Sequence, residues 1–203
     1  RLLEIHPHCM SHDELIDCVR QAKFWQLMHL HDEGKWDVLW SSFSRYAKEF
    51  SASGPSHWHS EILKIANRFM EGDQAIRFLP FIQNWNIDNL RPEDWKNEVG
   101  QDGKEYRSLA TKCAKKCFDT LKAIPQKQSI TTQQMDWMKT FYKKIMEHDK
   151  DEWSIRNYAT LCIWKQEYDE AIKIYKRLMT DLSNRFFVWS ELASCIQNNN
   201  RLK

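Results

Sequence analysis

The amino-acid sequence predicts an all-α fold built from helical hairpins. Apolar residues recur at intervals of three and four along six segments, and two of these segments begin with a capping-box pattern. Only five Gly and five Pro occur in 203 residues, which is too few for a fold built from many tight turns. No segment shows a sustained strict alternation of apolar and polar residues, so no strand is predicted.

The composition is that of a folded chain without a strong overall charge. Hydrophobic residues make up 42% of the chain, and a chain of this length buries about 70% of the surface that it exposes when unfolded. Thirty basic and twenty-eight acidic residues give a net charge of +2, which excludes a generally basic nucleic-acid-binding protein and an acidic disordered chain. No apolar run approaches the roughly 18 residues of a membrane span, and no signal peptide is recognisable at the start. We therefore expect a cytoplasmic protein.

The first predicted hairpin follows a helix start at Ser11, which forms a capping-box pattern with Glu14. Its first helix extends to about Asp32, and Gly34 supplies the turn. Its second helix carries one apolar stripe: Trp36, Leu39, Trp40, Phe43, Tyr46, Ala47 and Phe50.

A second hairpin completes the predicted N-terminal region, residues 1–88. One apolar stripe runs through residues 58–69 and another through residues 75–85, with a turn between them. Pro80 lies within the last of these helices. Because proline removes a backbone donor, we expect a kink or a restart of the helix there.

Residues 89–103 interrupt the helical pattern and are interpreted as an irregular connection between two parts of the chain. This stretch contains Pro92 and two Gly, and it has no sustained period. A C-terminal helical region follows at residues 104–203. It begins with an apolar stripe from Tyr106, and its second helix starts at the capping-box pattern of Thr131 and Gln134.

A 34-residue period occurs in residues 152–203. Four positions of one segment correspond to four of the next: Ile155, Tyr158, Ala159 and Cys162 to Trp189, Leu192, Ala193 and Ile196. This length and pattern resemble the tetratricopeptide repeat. Tyr168, Ala171 and Tyr175 match the second helix of such a repeat. Three positions depart from it, since Glu167 stands for the usual turn glycine, Leu178 for a small residue and Ser183 for proline.

The resemblance implies a right-handed solenoid of αα-hairpins whose first helices line a concave groove. By this resemblance, the groove that would bind a protein or peptide partner contains Arg156, Thr160, Ile163, Ser190 and Ser194. The Lys and Asn residues that clamp a terminal carboxylate in some family members are absent. Arg156 remains available for an acidic group. The implied function is a non-catalytic scaffold.

The resemblance is specific over residues 152–203, about a quarter of the chain, and only architectural before them. The second copy stops after its first helix at Lys203, so we expect a piece of a longer protein. Residues 89–95 and 103–110 also resemble segments of large bacterial proteins that carry such repeats, which favours a bacterial origin.

The metal-ligand residues favour no metal site and no cofactor. His6, His8, Cys9 and His12 form the densest cluster, but no second pair of ligands lies at the spacing of a structural zinc site. The chain has six cysteines, most of which lie on apolar stripes. We interpret all six as reduced thiols: Cys9, Cys18, Cys113, Cys117, Cys162 and Cys195.

Two other functions stay open as alternatives. Between residues 102 and 145 there are ten basic and four acidic residues, so a nucleic-acid-associated protein is the first alternative. Its contacts would come from the surface at 104–144: Lys112, Lys115, Lys116, Lys122, Lys143 and Lys144. An enzyme without a recognisable motif is the second alternative. It ranks last because the chain lacks a phosphate loop, a nucleophile turn and a metalloprotease helix.

Overall fold

The computed structural model describes residues 11–123, 130–149, 151–182 and 185–202. This part of the chain forms nine α-helices and one short antiparallel strand pair, so the predicted all-α class is confirmed. The chain divides into two compact units, 1–97 and 98–203. The boundary falls within the stretch that the sequence marks as a connection.

Unit 1 contains four helices around one apolar core. They are α1 (His12–Asp32), α2 (Trp36–Glu49), α3 (His57–Phe69) and α4 (Phe78–Trp85). Helix α1 packs against α2 and α3, and α4 packs against the same two helices. Three 3-10 turns complete the unit: Gly72–Arg77, Ile87–Asn89 and Pro92–Trp95.

The predicted helix boundaries in unit 1 have local physical causes. Both bonds of the capping box form at α1, where Ser11 accepts from the Glu14 amide and the Glu14 carboxylate accepts from the Ser11 amide. The predicted restart is also present, because a 3-10 turn precedes α4 and Pro80 lies in the first turn of α4. A proline is tolerated there because the first four amides of a helix have no intrahelical acceptor.

A buried polar cluster joins three helices of unit 1. The hydroxyl of Tyr46 on α2 lies 2.6 Å from Nδ1 of His59 on α3, and the His59 ring stacks on Trp85 of α4 with centroids 4.1 Å apart. Burial, followed by the positive charge of Arg20, lowers the pKa of His59 to about 3. His59 is therefore a neutral core residue at physiological pH.

Unit 2 begins with the strand pair and continues with five helices. The elements are β1 (Glu98–Val99), β2 (Glu105–Tyr106), α5 (Leu109–Ala123), α6 (Thr132–His148), α7 (Glu152–Trp164), α8 (Tyr168–Asp181) and α9 (Phe186–Leu202). Each helix packs against the next, and α5 also contacts α7. The capping box predicted at Thr131 and Gln134 is present at the start of α6.

Two predictions for the start of unit 2 were wrong. Tyr106 belongs to β2, where it pairs with Glu98, and α5 begins only at Leu109. The absence of strands was also wrong, because β1 and β2 pair across a turn closed by a hydrogen bond from the Gly103 amide to Gly100. Strands of two residues are too short to show an alternating pattern.

The turns of hairpins α1–α2 and α7–α8 have the same hydrogen bonds, 132 positions apart. The amide of Lys35 donates to Leu30, and the amide of Glu167 donates to Cys162 in the equivalent place. The left-handed residue of the first turn is Gly34 (φ 67°), and that of the second is Gln166 (φ 60°). The interpretation of Glu167 as the turn-glycine position was therefore wrong by one residue.

Candidate functional site

The five predicted groove residues lie on α7 and α9 of unit 2. Arg156, Thr160 and Ile163 on α7 are half-buried, whereas Ser190 and Ser194 on α9 are exposed. The Thr160 hydroxyl donates to the backbone oxygen of Arg156, so this hydroxyl already has a hydrogen-bond acceptor within the helix. The two serines are the predicted groove residues most accessible to a ligand.

Two aromatic residues place equivalent positions of α7 and α9 side by side. Trp153 and Phe187 are 34 positions apart, and their rings stack with centroids 6.0 Å apart and an interplanar angle of 17°. The predicted groove includes neither residue. The sequence does indicate them, because both are aromatic and they lie one 34-residue period apart.

Arg156 connects the two helices through an acidic residue that sequence reasoning did not include. Its guanidinium forms a two-armed ion pair with Glu191, and Nε lies 3.1 Å from one carboxylate oxygen. The same guanidinium lies 4.4 Å from the centroid of the Phe187 ring and 5.5 Å from that of Trp153. Hydrogen bonds to Glu191 raise the pKa of Arg156. The charge of Arg156 is therefore balanced within the chain.

An open cleft of about 490 Å³ lies beside this ion pair, and we call it the α7–α9 cleft. Its lining is Glu152, Trp153, Arg156, Leu182, Arg185, Phe186 and Phe187. Trp153 is 47% exposed and Phe186 is 83% exposed, so both rings present apolar surface to solvent. Arg185, also exposed, adds a positive charge. Such a lining suits an apolar side chain with an acidic group next to it.

The lysines of the alternative nucleic-acid surface are partly neutralised. Lys115 donates to Asp119 at 2.5 Å, and Lys112 lies 3.8 Å from Glu98. Lys122 and Lys143 are exposed, and the Lys143 ammonium lies 5.8 Å from the centroid of the Tyr158 ring. Lys116 and Lys144 are half-buried and have interactions of their own.

A second polar cluster joins α6, α7 and α8. Potential metal-ligand atoms of Cys162, Glu167 and Glu170 lie within 4.8 Å of one another. The buried Lys139 ammonium pairs with both carboxylates, and the Tyr158 hydroxyl donates to Glu170. Burial opposes the charge of Lys139, but its bonds to Glu167 and Glu170 raise its pKa.

The chemistry of this Lys139 cluster is that of a crosslink between helices. Burial raises the pKa of the Cys162 thiol to about 11, so the thiol remains protonated at neutral pH. The lysine already balances charge that a metal ion would otherwise neutralise. We therefore assign the cluster to stability rather than to binding.

The sequence offered two other candidate sets of metal ligands, the N-terminal His and Cys residues and the pair Cys113 and Cys117. His6, His8 and Cys9 lie outside the described residues, and His12 is the exposed first residue of α1. Cys113 and Cys117 are buried on α5, as expected for residues of an apolar stripe, and burial raises the pKa of Cys117.

Comparisons of the chain with protein-family models, with curated proteins and with solved structures gave no match. Among the described residues, none of the helices combines the length and the apolar character that a membrane span requires.

Proposed function

We propose that this protein is a non-catalytic helical-repeat module that binds a protein or peptide partner in the α7–α9 cleft. The stacking of Trp153 on Phe187, one 34-residue period apart, is the observation that carries the proposal. Successive hairpins that align equivalent positions on one side create the extended concave surface of a solenoid. In this proposal α7 and α8 form one tetratricopeptide-like repeat of a right-handed superhelix, and α9 begins the next.

The chemistry of the cleft defines the partner segment. Trp153 and Phe186 offer exposed apolar surface to an aliphatic or aromatic side chain, and the buried Leu182 also lines the cleft. Arg185 is placed to meet an adjacent carboxylate, because Arg156 is already paired with Glu191. Exposed aromatic and arginine side chains are the residue types that dominate binding energy at protein interfaces. The proposed ligand is thus a peptide with an apolar residue next to an acidic one.

A peptide-display selection on the intact chain tests this proposal. The best selected peptide is synthesised with a fluorescent label, and its affinity is measured by anisotropy for the wild type and for Phe186→Ser. Because Phe186 is 83% exposed, the substitution leaves the core intact. We expect at least a tenfold loss of affinity, which corresponds to about 1.4 kcal/mol. Arg185→Glu should weaken binding of the acidic peptide and spare its neutral amide analogue.

The matched control is Trp25→Ser, which removes an exposed aromatic side chain from unit 1. It should leave the affinity unchanged. A selected peptide that binds Phe186→Ser as tightly as the wild type would place the site outside the cleft and contradict the proposal.

The nucleic-acid alternative gives a different pattern in the same variants. Binding of a single-stranded oligonucleotide through the basic surface would fall steeply with salt and would survive Phe186→Ser. It would be lost when Lys115, Lys122 and Lys143 are replaced by alanine. That pattern, without peptide binding, would replace the proposed function.

A further inference from the structure

Helix α8 presents three basic side chains to solvent. Lys173, Lys176 and Arg177 are all exposed, whereas Ala171 and Leu178 on the opposite side of the helix are buried. The helical rise and rotation place the three basic residues within about 100° of the circumference and about 6 Å of the length of α8. We call them the α8 cationic face. Positive charge is thus concentrated at one place on unit 2.

The α8 cationic face has no carboxylate partner among the side chains that the structure describes. The two acidic residues in the first turn of α8 are bound elsewhere, because Asp169 accepts a hydrogen bond from Asn199 and Glu170 pairs with Lys139. Other basic residues of unit 2 do form ion pairs: Arg107, Lys112, Lys115, Lys139, Arg156 and Lys165. The face therefore differs from these residues in keeping its charge available.

The cations of this face also repel one another. Lys173 lies three residues before Lys176 and four before Arg177, and these are the spacings at which like charges destabilise a helix. The helix dipole stabilises cations in the last turn, but the last turn of α8 contains no basic residue. A bound anion would remove this repulsion. The charge arrangement is therefore that of a binding site for anions.

The chemistry of the face selects among anionic ligands. The exposed residues that the structure describes on α8 are all polar, so they include no apolar residue that could enter a lipid layer. They also include no aromatic ring on which an unpaired base could stack. A nucleic-acid duplex needs neither, because its bases are already paired and Lys and Arg side chains contact its phosphates directly.

The charge density of a duplex also matches the face. A duplex carries one negative charge per about 1.7 Å of its axis, so three cations within about 6 Å can each meet a phosphate. Unit 2 as a whole contains nineteen basic and fourteen acidic residues, and this excess favours the approach of a polyanion.

We propose that the α8 cationic face binds the phosphate backbone of a nucleic-acid duplex without reading its sequence. Lys173, Lys176 and Arg177 each neutralise one phosphate. The face shares no residue with the α7–α9 cleft or with the basic surface at 104–144. This binding is a second activity and does not depend on the function proposed for the cleft.

The test measures how salt affects duplex binding. A fluorescently labelled DNA duplex of about 20 base pairs is titrated with the intact chain, and anisotropy gives the association constant between about 50 and about 200 mM salt. Three phosphate contacts predict a slope of about −2.7 for the logarithm of this constant against the logarithm of the salt concentration. Each single substitution, Lys173→Ala, Lys176→Ala or Arg177→Ala, should make the slope less steep by about 0.9. The triple variant should lose binding.

The matched control is Lys115→Ala, which removes an exposed helical lysine that is already paired with Asp119. It should leave the affinity and the slope unchanged, and circular dichroism should give equal helix content for all variants. Polyglutamate and phosphatidylserine vesicles serve as the other polyanions. Four outcomes overturn the proposal: no duplex binding at the lowest salt concentration, an unchanged slope in the triple variant, an equal loss in Lys115→Ala, or tighter binding of polyglutamate or of the vesicles than of the duplex.

Discussion

Arg156 and Glu191 join α7 to α9 through an ion pair, and the Arg156 guanidinium of this pair lies over the ring of Phe187. Both side chains are about 30% exposed, so water screens the pair only in part. The pair also packs against the rings of Trp153 and Phe187 through the Arg156 guanidinium. It therefore contributes to stability as well as to the shape of the α7–α9 cleft.

The first prediction compares the two arginines of this cleft. Arg156→Ala leaves Glu191 without its cationic partner and removes the contact with Phe187, so we expect a loss of about 1–3 kcal/mol in the free energy of unfolding. Arg185→Ala alters an exposed side chain and should change it by less than about 0.5 kcal/mol. Urea unfolding followed by tryptophan fluorescence measures both. If Arg156→Ala lowered the free energy of unfolding no more than Arg185→Ala does, the ion pair would contribute nothing measurable to stability.

The second prediction exchanges the turn residues of the two equivalent hairpins. Gln166 has a left-handed backbone (φ 60°), which strains any residue with a Cβ atom. Gln166→Gly should therefore raise the free energy of unfolding by up to about 1 kcal/mol. Gly34→Gln should lower it by about 1 kcal/mol through the backbone alone, because a Cβ atom there would meet nothing closer than Trp36 Nε1 at 3.8 Å. Stabilisation by Gly34→Gln would contradict this reasoning.

The helices were predictable because their signals are local. Capping boxes at Ser11 and Thr131 involve residues three positions apart, and apolar stripes repeat within one or two turns. The strand pair at residues 98–106 was not predictable, since two-residue strands have no pattern and depend on a turn at Gly100 and Gly103.

The candidate site was predictable only in part, because its contacts join residues distant in sequence. The repeat pattern placed Arg156 in the predicted groove, but it gave no reason to pair Arg156 with Glu191, which is 35 positions away. The exposure of Phe186 likewise depends on how α9 packs against α8, and helical periodicity does not determine that packing.

The third prediction concerns acid stability and His59. Burial lowers the pKa of this residue from 6.5 to about 3, so below pH 6.5 the unfolded chain binds a proton that the folded chain does not bind. The contribution of His59 to stability is complete above pH 6.5 and is lost as the pH falls from 6.5 toward 3, by up to about 1.4 kcal/mol per pH unit.

Urea unfolding of the wild type and of His59→Phe between about pH 7 and about pH 5 measures this slope before most carboxylates titrate. The variant keeps a ring against Trp85 but lacks the titrating group, so its stability should depend less on pH. Its lost contact with Tyr46 shifts the stability at every pH and leaves the slope unaffected. Titration of the His59 imidazole near pH 6.5 in an NMR experiment would contradict the prediction.

The fourth prediction makes the same substitution at a buried and an exposed alanine of unit 2. Ala171 on α8 is fully buried, whereas Ala193 on α9 is exposed. Ala171→Leu adds three carbon atoms at a fully buried position, so we expect a loss of about 1–3 kcal/mol in the free energy of unfolding. Ala193→Leu places its side chain in solvent on a helix and should change stability by less than about 0.5 kcal/mol. Urea unfolding measures both variants.

Because Ala193 is not part of the α7–α9 cleft, Ala193→Leu should also bind the selected cleft peptide with unchanged affinity. If Ala171→Leu were neutral while Ala193→Leu destabilised the chain, the assignment of Ala171 to the packed interior of unit 2 and of Ala193 to its surface would be wrong.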